Sequence, residues 1–132
     1  MKFYVASGLE NFSNVREITK RLIEEGFIHT YDWTLNGRAN TLDQLCQIGQ
    51  KEKEAVQNSD FLVVLLPGGK GTHIELGIAI GLSKRIYLYS PTENINNPED
   101  SSTFYHLPEV KKFVGNIEEF ASFVLSHEKK IN

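Results

Sequence analysis

Residues 60–77 run Asp60-Phe61-Leu62-Val63-Val64-Leu65-Leu66-Pro67-Gly68-Gly69-Lys70-Gly71-Thr72-His73-Ile74-Glu75-Leu76-Gly77. The continuous apolar run up to Leu66 has the pattern of a strand buried on both faces. Ile74 to Leu82 is rich in Ala, Ile, Leu and Gly, and it ends at Ser83-Lys84-Arg85. That pattern predicts a helix whose last turn carries cations suited to its dipole. The order is strand, glycine-rich turn, helix, which is one βα half of a parallel α/β unit.

A helix starting here leaves its first N–H groups without intrahelical partners, directed into the turn. The missing Cβ atoms of Gly68, Gly69 and Gly71 open that backbone to a ligand. Together these features make an anion site, most often for phosphate. The alternative is that the glycines only turn the chain, although a short βα connection seldom needs three. Thr72 is a further ligand of the loop, and Lys70 reads equally as an anion ligand or a solvated cation. Glu75 is a carboxylate among Ile74, Leu76, Ile78, Ala79 and Ile80. A first-turn acid that merely complements the dipole normally faces water. Glu75 has apolar neighbours nearly all round, so it is expected to face a cleft and is the candidate for chemistry. Its place near the helix start predicts a lowered pKa and an ionised group. His73 reads as a surface residue rather than a base.

The chain of 132 residues, 40% of them hydrophobic, predicts one globular domain over 1–132. A net charge of -3 without a basic run argues against a nucleic-acid groove. No apolar run approaches ~18 residues, so no membrane span is expected, and the opening Met-Lys-Phe-Tyr-Val-Ala is too short for the apolar core of a signal peptide. The single Cys46 excludes an internal disulfide framework and points to a reducing cytoplasm. It reads as a small buried or half-buried residue. His29, His73, His106 and His127 are scattered without ligand spacing, so neither a metal nor another cofactor is expected.

Outward from the central unit, strands and helices alternate. Residues 2–6 predict a strand, broken at Ser7-Gly8. Asn14 to Glu17 has capping-box spacing and opens a helix reaching about Glu25, ended by Gly26. Phe27 to Tyr31 predicts the second strand, residues 32–40 a loop, and Thr41 the cap of a helix from Leu42 to Gln57. Arg85 to Tyr89 predicts the fourth strand, residues 90–107 a long polar loop, Lys112–Val114 a short strand and Ile117–Ser126 the last helix. Glu128 to Asn132 is expected to fray. The fold class is therefore α/β: a mostly parallel five-stranded sheet in a flavodoxin-like or Rossmann-like three-layer sandwich.

Ligands in such sheets bind beyond the carboxyl ends of the strands. Here those ends are Ala6-Ser7-Gly8, Tyr31-Asp32-Trp33, Pro67 to Thr72, and Tyr89-Ser90. Ser7-Gly8 is either a plain turn or a second ligand loop. Asp32 and Trp33 either stack on a base or pack. Tyr4 on a buried strand packs by default, with its hydroxyl able to reach a ligand. Asp60 reads as a helix-to-strand boundary residue, and Tyr105-His106 as a candidate lid.

On these residues the chain resembles the nucleoside 2-deoxyribosyltransferase-like superfamily over nearly its whole length. The resemblance rests on Phe3-Tyr4-Val5-Ala6-Ser7-Gly8, on a helix ending in Asn58-Ser59-Asp60, and on Glu75-Leu76-Gly77 followed by Ala79. It implies that Glu75 is the nucleophile on the sugar anomeric carbon, with Tyr4 beside it and Ser7-Gly8 holding sugar or phosphate. The family's sugar-contacting aspartate, eight residues before Asp60, is replaced by Glu52, which would otherwise read as a solvated helix charge. Six residues before the glutamate the transferases carry an aspartate and the related deoxynucleotide hydrolase a serine; here Gly69 stands there. Pro67 to Glu75 also fits the Pro-Gly-Gly-x-Gly-Thr-x-x-Glu motif of the cytokinin-activating nucleoside-monophosphate phosphoribohydrolases. Those enzymes are longer and carry an earlier triple-glycine stretch, where this chain has Thr30-Tyr31-Asp32-Trp33.

Both resemblances imply chemistry at an N-glycosidic bond. Glu75 would stabilise or trap oxocarbenium character, and the glycine loop would hold a 5′-phosphate. His73, His106 or Asp32 would protonate the leaving base. A non-catalytic nucleotide sensor with the same pocket is the competing class. A redox or receiver flavodoxin-like domain fits poorly, because the phosphate loop follows the third strand and no acidic cluster is present. The expected partner is a small nucleoside or nucleotide. The expected assembly is a homodimer or homotetramer, joined through the helix at 42–57 and the helix after Glu75, with region 88–106 entering a neighbour's site.

Overall fold

The apolar run becomes strand β3 (Phe61–Leu65), buried along its whole length. β1 (Lys2–Ser7) and β4 (Arg85–Ser90) flank it, β2 (Ile28–His29) lies beyond β1, and β5 (Val110–Val114) lies beyond β4. Every pair is parallel, in the order β2-β1-β3-β4-β5. Parallel neighbours need crossovers, supplied by the helices α1 (Phe12–Glu24), α2 (Leu42–Gln57) and α3 (Lys70–Gly81); α4 (Ile117–Lys129) follows β5. α1 and α4 pack together on one side of the sheet and α2 and α3 on the other, giving the three layers. This computed structural model describes residues 1–131.

The pleat sorts the strand residues between the two faces. Phe3, Phe61 and Tyr87 share the α1/α4 side, where Phe27 and Phe123 meet them edge-on. Tyr4 and Leu62, in register, share the other side, so the Tyr4 ring points toward α2 and α3. Ser7, Leu65 and Tyr89 are aligned, so β1, β3 and β4 finish at one edge. The strand order reverses between β1 and β3, which makes that edge the switch point.

The structure corrects several expected boundaries. α1 starts at Phe12, so Asn14 is not its cap; a 3₁₀ turn (Leu9–Asn11) runs straight into it. α3 starts at Lys70 rather than Ile74, so half of the expected loop is its first turn. β2 is shorter and β5 longer than expected, and residues 91–109 contain two 3₁₀ turns, Glu93–Asn96 and Thr103–His106. Cys46 is exposed, as are all the residues from Leu42 to Gln47 in the first turns of α2. The C-terminal segment does not fray at Glu128: α4 runs on to Lys129 and the Glu128 side chain is fully buried. Its carboxylate accepts from Arg85 Nε at 2.9 Å and Nη2 at 2.7 Å, and from the Tyr87 hydroxyl. A charge buried with this many donors anchors the helix end. Asn132 lies outside the described residues. No helix among the described residues is long and apolar enough to cross a membrane.

Candidate functional site

Three side chains from three elements converge at the switch point. Tyr4 on β1 is fully buried and donates its hydroxyl to Glu75 Oε2 at 2.7 Å. The same hydroxyl lies 3.5 Å from Glu52 Oε2 on α2. Glu75, on the second turn of α3, is 7% exposed. The chain separations are 71 and 48 residues, so only the fold brings the groups together.

Burial pushes the Glu75 carboxyl up to about 8; the Tyr4 hydrogen bond pulls it down, and the charge of Glu52 pushes it further up. Burial also raises Glu52. Burial and the Glu75 charge hold the Tyr4 hydroxyl far above its ordinary range, so it stays a donor. Two carboxyls beside one donor favour a single retained proton at neutral pH. This overturns the expectation of a lowered pKa at Glu75. Since α3 starts at Lys70, Glu75 is past the first turn, where the dipole has faded and desolvation dominates.

The glycine turn follows the cis Leu66–Pro67 bond. Its glycines serve different ends. A Cβ at Gly68 would meet Thr72 Cγ2 at 2.6 Å and Cβ at 2.8 Å, so Gly68 lets the turn close on its own helix. Cβ atoms at Gly69 or Gly71 would meet nothing within 4 Å, so that side of the turn is open. The Gly69 N–H donates to Thr72 Oγ1 at 3.1 Å; the buried threonine keeps its own hydroxyl proton for another acceptor. Lys70 is exposed in the first turn.

The β1–α1 loop is tied to this turn. Ser7 Oγ donates to Leu65 O at 2.8 Å and accepts from Asn11 Nδ2 at 3.0 Å, while that amide also donates to Pro67 O at 2.8 Å. The Gly8 N–H reaches Pro67 O at 3.4 Å. Sequence reading missed Asn11, whose only signal was its place four residues after Ser7 at the same strand end. Three other candidates hold their own loops. Trp33 is buried and donates Nε1–H to Val5 O at 2.7 Å. Asp32 accepts from the Thr34 N–H at 3.0 Å and from its hydroxyl. Ser90 donates to Thr92 O at 2.6 Å.

Between α2 and the 31–39 segment lies an open groove of about 270 Å³ lined by Tyr31, Arg38, Gln47, Ile48 and Lys51, with Glu52 outside its lining. Another groove, about 530 Å³, lies between α1 and the 33–35 turn, and its lining contains none of Tyr4, Glu52 or Glu75. Among the described residues no group of three or more His, Cys, Asp or Glu side chains is placed to hold a metal ion.

Residues 3–114 match the sequence model of the family described as nucleoside 2-deoxyribosyltransferase. No curated protein matches the chain at a significant level. Among solved structures, the Clostridium botulinum CMP N-glycosidase BcmB superposes with a TM-score of 0.65 at 15% identity, covering 94% of this chain and 98% of that one. A de novo designed Rossmann 2x3 fold protein superposes with a TM-score of 0.60 at 16% identity, covering 98% of this chain and 89% of that one. At such identities these two likenesses speak for the fold alone. The sequence match extends from β1 to the end of β5 and takes in Tyr4, Glu52 and Glu75, and on it the chain belongs to the nucleoside 2-deoxyribosyltransferase family.

Proposed function

We propose that the protein breaks, or transfers across, the N-glycosidic bond of a nucleoside or nucleoside 5′-monophosphate, with Glu75 as nucleophile. The observation that carries this reading is the buried Glu75 carboxyl held by Tyr4 at 2.7 Å on the switch-point edge, next to an open glycine turn. Family membership supports N-glycosidic chemistry in general. The name of the structural neighbour BcmB, a CMP N-glycosidase, is in keeping with a monophosphate substrate.

In this mechanism the substrate's 5′-phosphate lies on the N–H groups of the glycine turn, around Gly69, Lys70, Gly71 and Thr72. That contact fixes the sugar over Glu75. The ionised carboxylate forms a bond to the anomeric carbon as the carbon–nitrogen bond breaks, and that electron pair leaves with the base. Tyr4 orients the carboxylate by holding Oε2. The departing base takes up a proton, and Glu52 is the titratable group beside the reacting carboxyl that can supply it. His73, His106 and Asp32 are engaged with other partners. The glycosyl ester is then attacked by water, giving hydrolysis, or by a second base, giving transfer. Ser7 and Gly8, tied to the glycine turn through Leu65 O and Pro67 O, are proposed to line the remaining approach.

The test is release of free base from a panel of nucleosides and their 5′-monophosphates. Glu75→Gln is expected to lower turnover at least ~1,000-fold with an unchanged circular-dichroism spectrum. Undiminished turnover in that variant removes Glu75 from the role. Tight nucleotide binding without base release by the wild-type protein would favour a nucleotide sensor.

A further inference from the structure

His73 in the first turn of α3 is bonded at both ring nitrogens. Nδ1 is 2.8 Å from Gly69 O and Nε2 is 2.6 Å from the Tyr105 hydroxyl. The two rings stack with centroids 5.8 Å apart and planes at 30°. Tyr105 comes from the 3₁₀ turn Thr103–His106 in the long segment between β4 and β5, and it is 8% exposed. A carbonyl can only accept, so Nδ1 carries the hydrogen; Nε2 of the neutral ring then accepts, and Tyr105 donates. The same Gly69 carbonyl also receives the His73 backbone N–H at 3.3 Å. His73 therefore grips the N-cap residue of α3 twice, while a buried ring 32 residues away holds it from the far side.

This matters because the turn it grips is conformationally free. Gly69 and Gly71 carry no side chain to restrict their backbone, Gly69 is held by side chains only through Thr72 and His73, and ordering such a turn on ligand binding costs free energy. With both nitrogens occupied, the ring has neither a free base nor a free acid to offer a substrate. We propose that His73 is a positioning residue that preorganises the glycine turn for a phosphate group, with Tyr105 fixing the tautomer and orientation of its ring. The inference rests on the reading of the turn as a phosphate site. On this reading the long segment 91–109 braces the anion site from outside.

The test needs no turnover. Isotope-labelled protein is titrated with inorganic phosphate while the backbone amide signals of Lys70, Gly71 and Thr72 are followed by NMR. In the wild type these amides shift on binding, and the side-chain nitrogens of His73 report the Nδ1–H tautomer. Tyr105→Phe keeps the ring and deletes the donor. It is expected to weaken phosphate binding about five- to tenfold and to give a mixed His73 tautomer, with the sheet amides unmoved. His73→Asn keeps a donor to Gly69 without the link to Tyr105 and is expected to weaken binding to a similar degree. Absence of any phosphate response in the wild type overturns the phosphate reading, and the brace with it. A normal wild-type response with unaltered affinity and tautomer in Tyr105→Phe overturns the brace alone.

Discussion

Tyr4 has one hydroxyl proton, and two carboxyls stand within 3.5 Å of it. The competition decides how the site titrates. Glu75 is raised by burial and by Glu52, so it becomes a nucleophile as pH rises through the titration of the pair. The acid limb of kcat/KM is expected above the usual carboxyl range. Glu52→Gln removes the neighbouring charge and should move that limb to lower pH, whatever it does to the maximum rate; a limb that stays in place would contradict the coupling. The same shift has a cost in stability. A carboxyl whose folded pKa lies above its unfolded value stabilises the fold at low pH, and this stability is lost as pH rises from about 4.5 through about 8. Glu75→Gln should therefore stabilise the fold more at pH 9 than at pH 5, by on the order of a few kcal/mol, read from melting temperatures at the two pH values.

Two helix ends show how an element converts its place in the chain into function or stability. The N-terminus of α3 presents open backbone at Gly69 and Gly71. If a phosphate sits there, monophosphates should compete for the site better than the matching nucleosides. A Cβ at Gly71 meets nothing within 4 Å in the protein, so the effect of Gly71→Val should fall chiefly on the ligand. We expect at least a ~10-fold loss of monophosphate affinity with the nucleoside little affected; equal losses for both would remove phosphate from the turn. The C-terminus of α4 is held instead by Glu128 against Arg85 and Tyr87. Glu128→Ala strands the Tyr87 hydroxyl and the Arg85 charge. Arg85 keeps 31% of its side chain in water, which softens the loss. A destabilisation of roughly 2–4 kcal/mol is expected in urea unfolding, with the Tyr4–Glu75 site intact. A change within about 0.5 kcal/mol would show the network to be idle.

For the whole molecule, the α2/α3 layer carries exposed apolar side chains. Leu42 is 84% exposed, Leu45 57% and Ile74 63%, and Phe104 in the segment after β4 is 58% exposed. We propose that a second copy covers this surface in a symmetric dimer or a dimer of dimers, with residues from 88–106 approaching the neighbouring site. A core-like contact of this kind buries on the order of 2,000 Å² in total. Light scattering at micromolar concentration should give two or four times the 15.0 kDa chain mass, and Leu45→Glu should drive it toward the monomer. A wild-type mass near one chain excludes the assembly.

What the sequence determined by itself was mostly local. Phe61 to Leu66 could be read as a buried strand because a continuous apolar run needs no partner to be recognised. Pro67 to Gly69 was readable as a turn, although Lys70 to Thr72 fall in the first turn of α3, and the alternation of elements led to parallel pairing because parallel strands require crossovers. Thr41 was readable as a cap, and its hydroxyl accepts from the Gln44 N–H at 3.1 Å. Tyr4 was readable as a packed strand residue whose hydroxyl could reach a ligand, whereas Glu52 drew notice only through family resemblance, since it reads otherwise as a solvated helix charge. Only the tertiary structure decided that their side chains meet Glu75, that burial outweighs the helix dipole there, that His73 is held by Tyr105, and that Glu128 is a buried anchor rather than a frayed end. Periodicity records which face an element buries. It does not record which other element covers that face or how completely water is excluded, and proton affinity and hydrogen-bond partners depend on those two quantities.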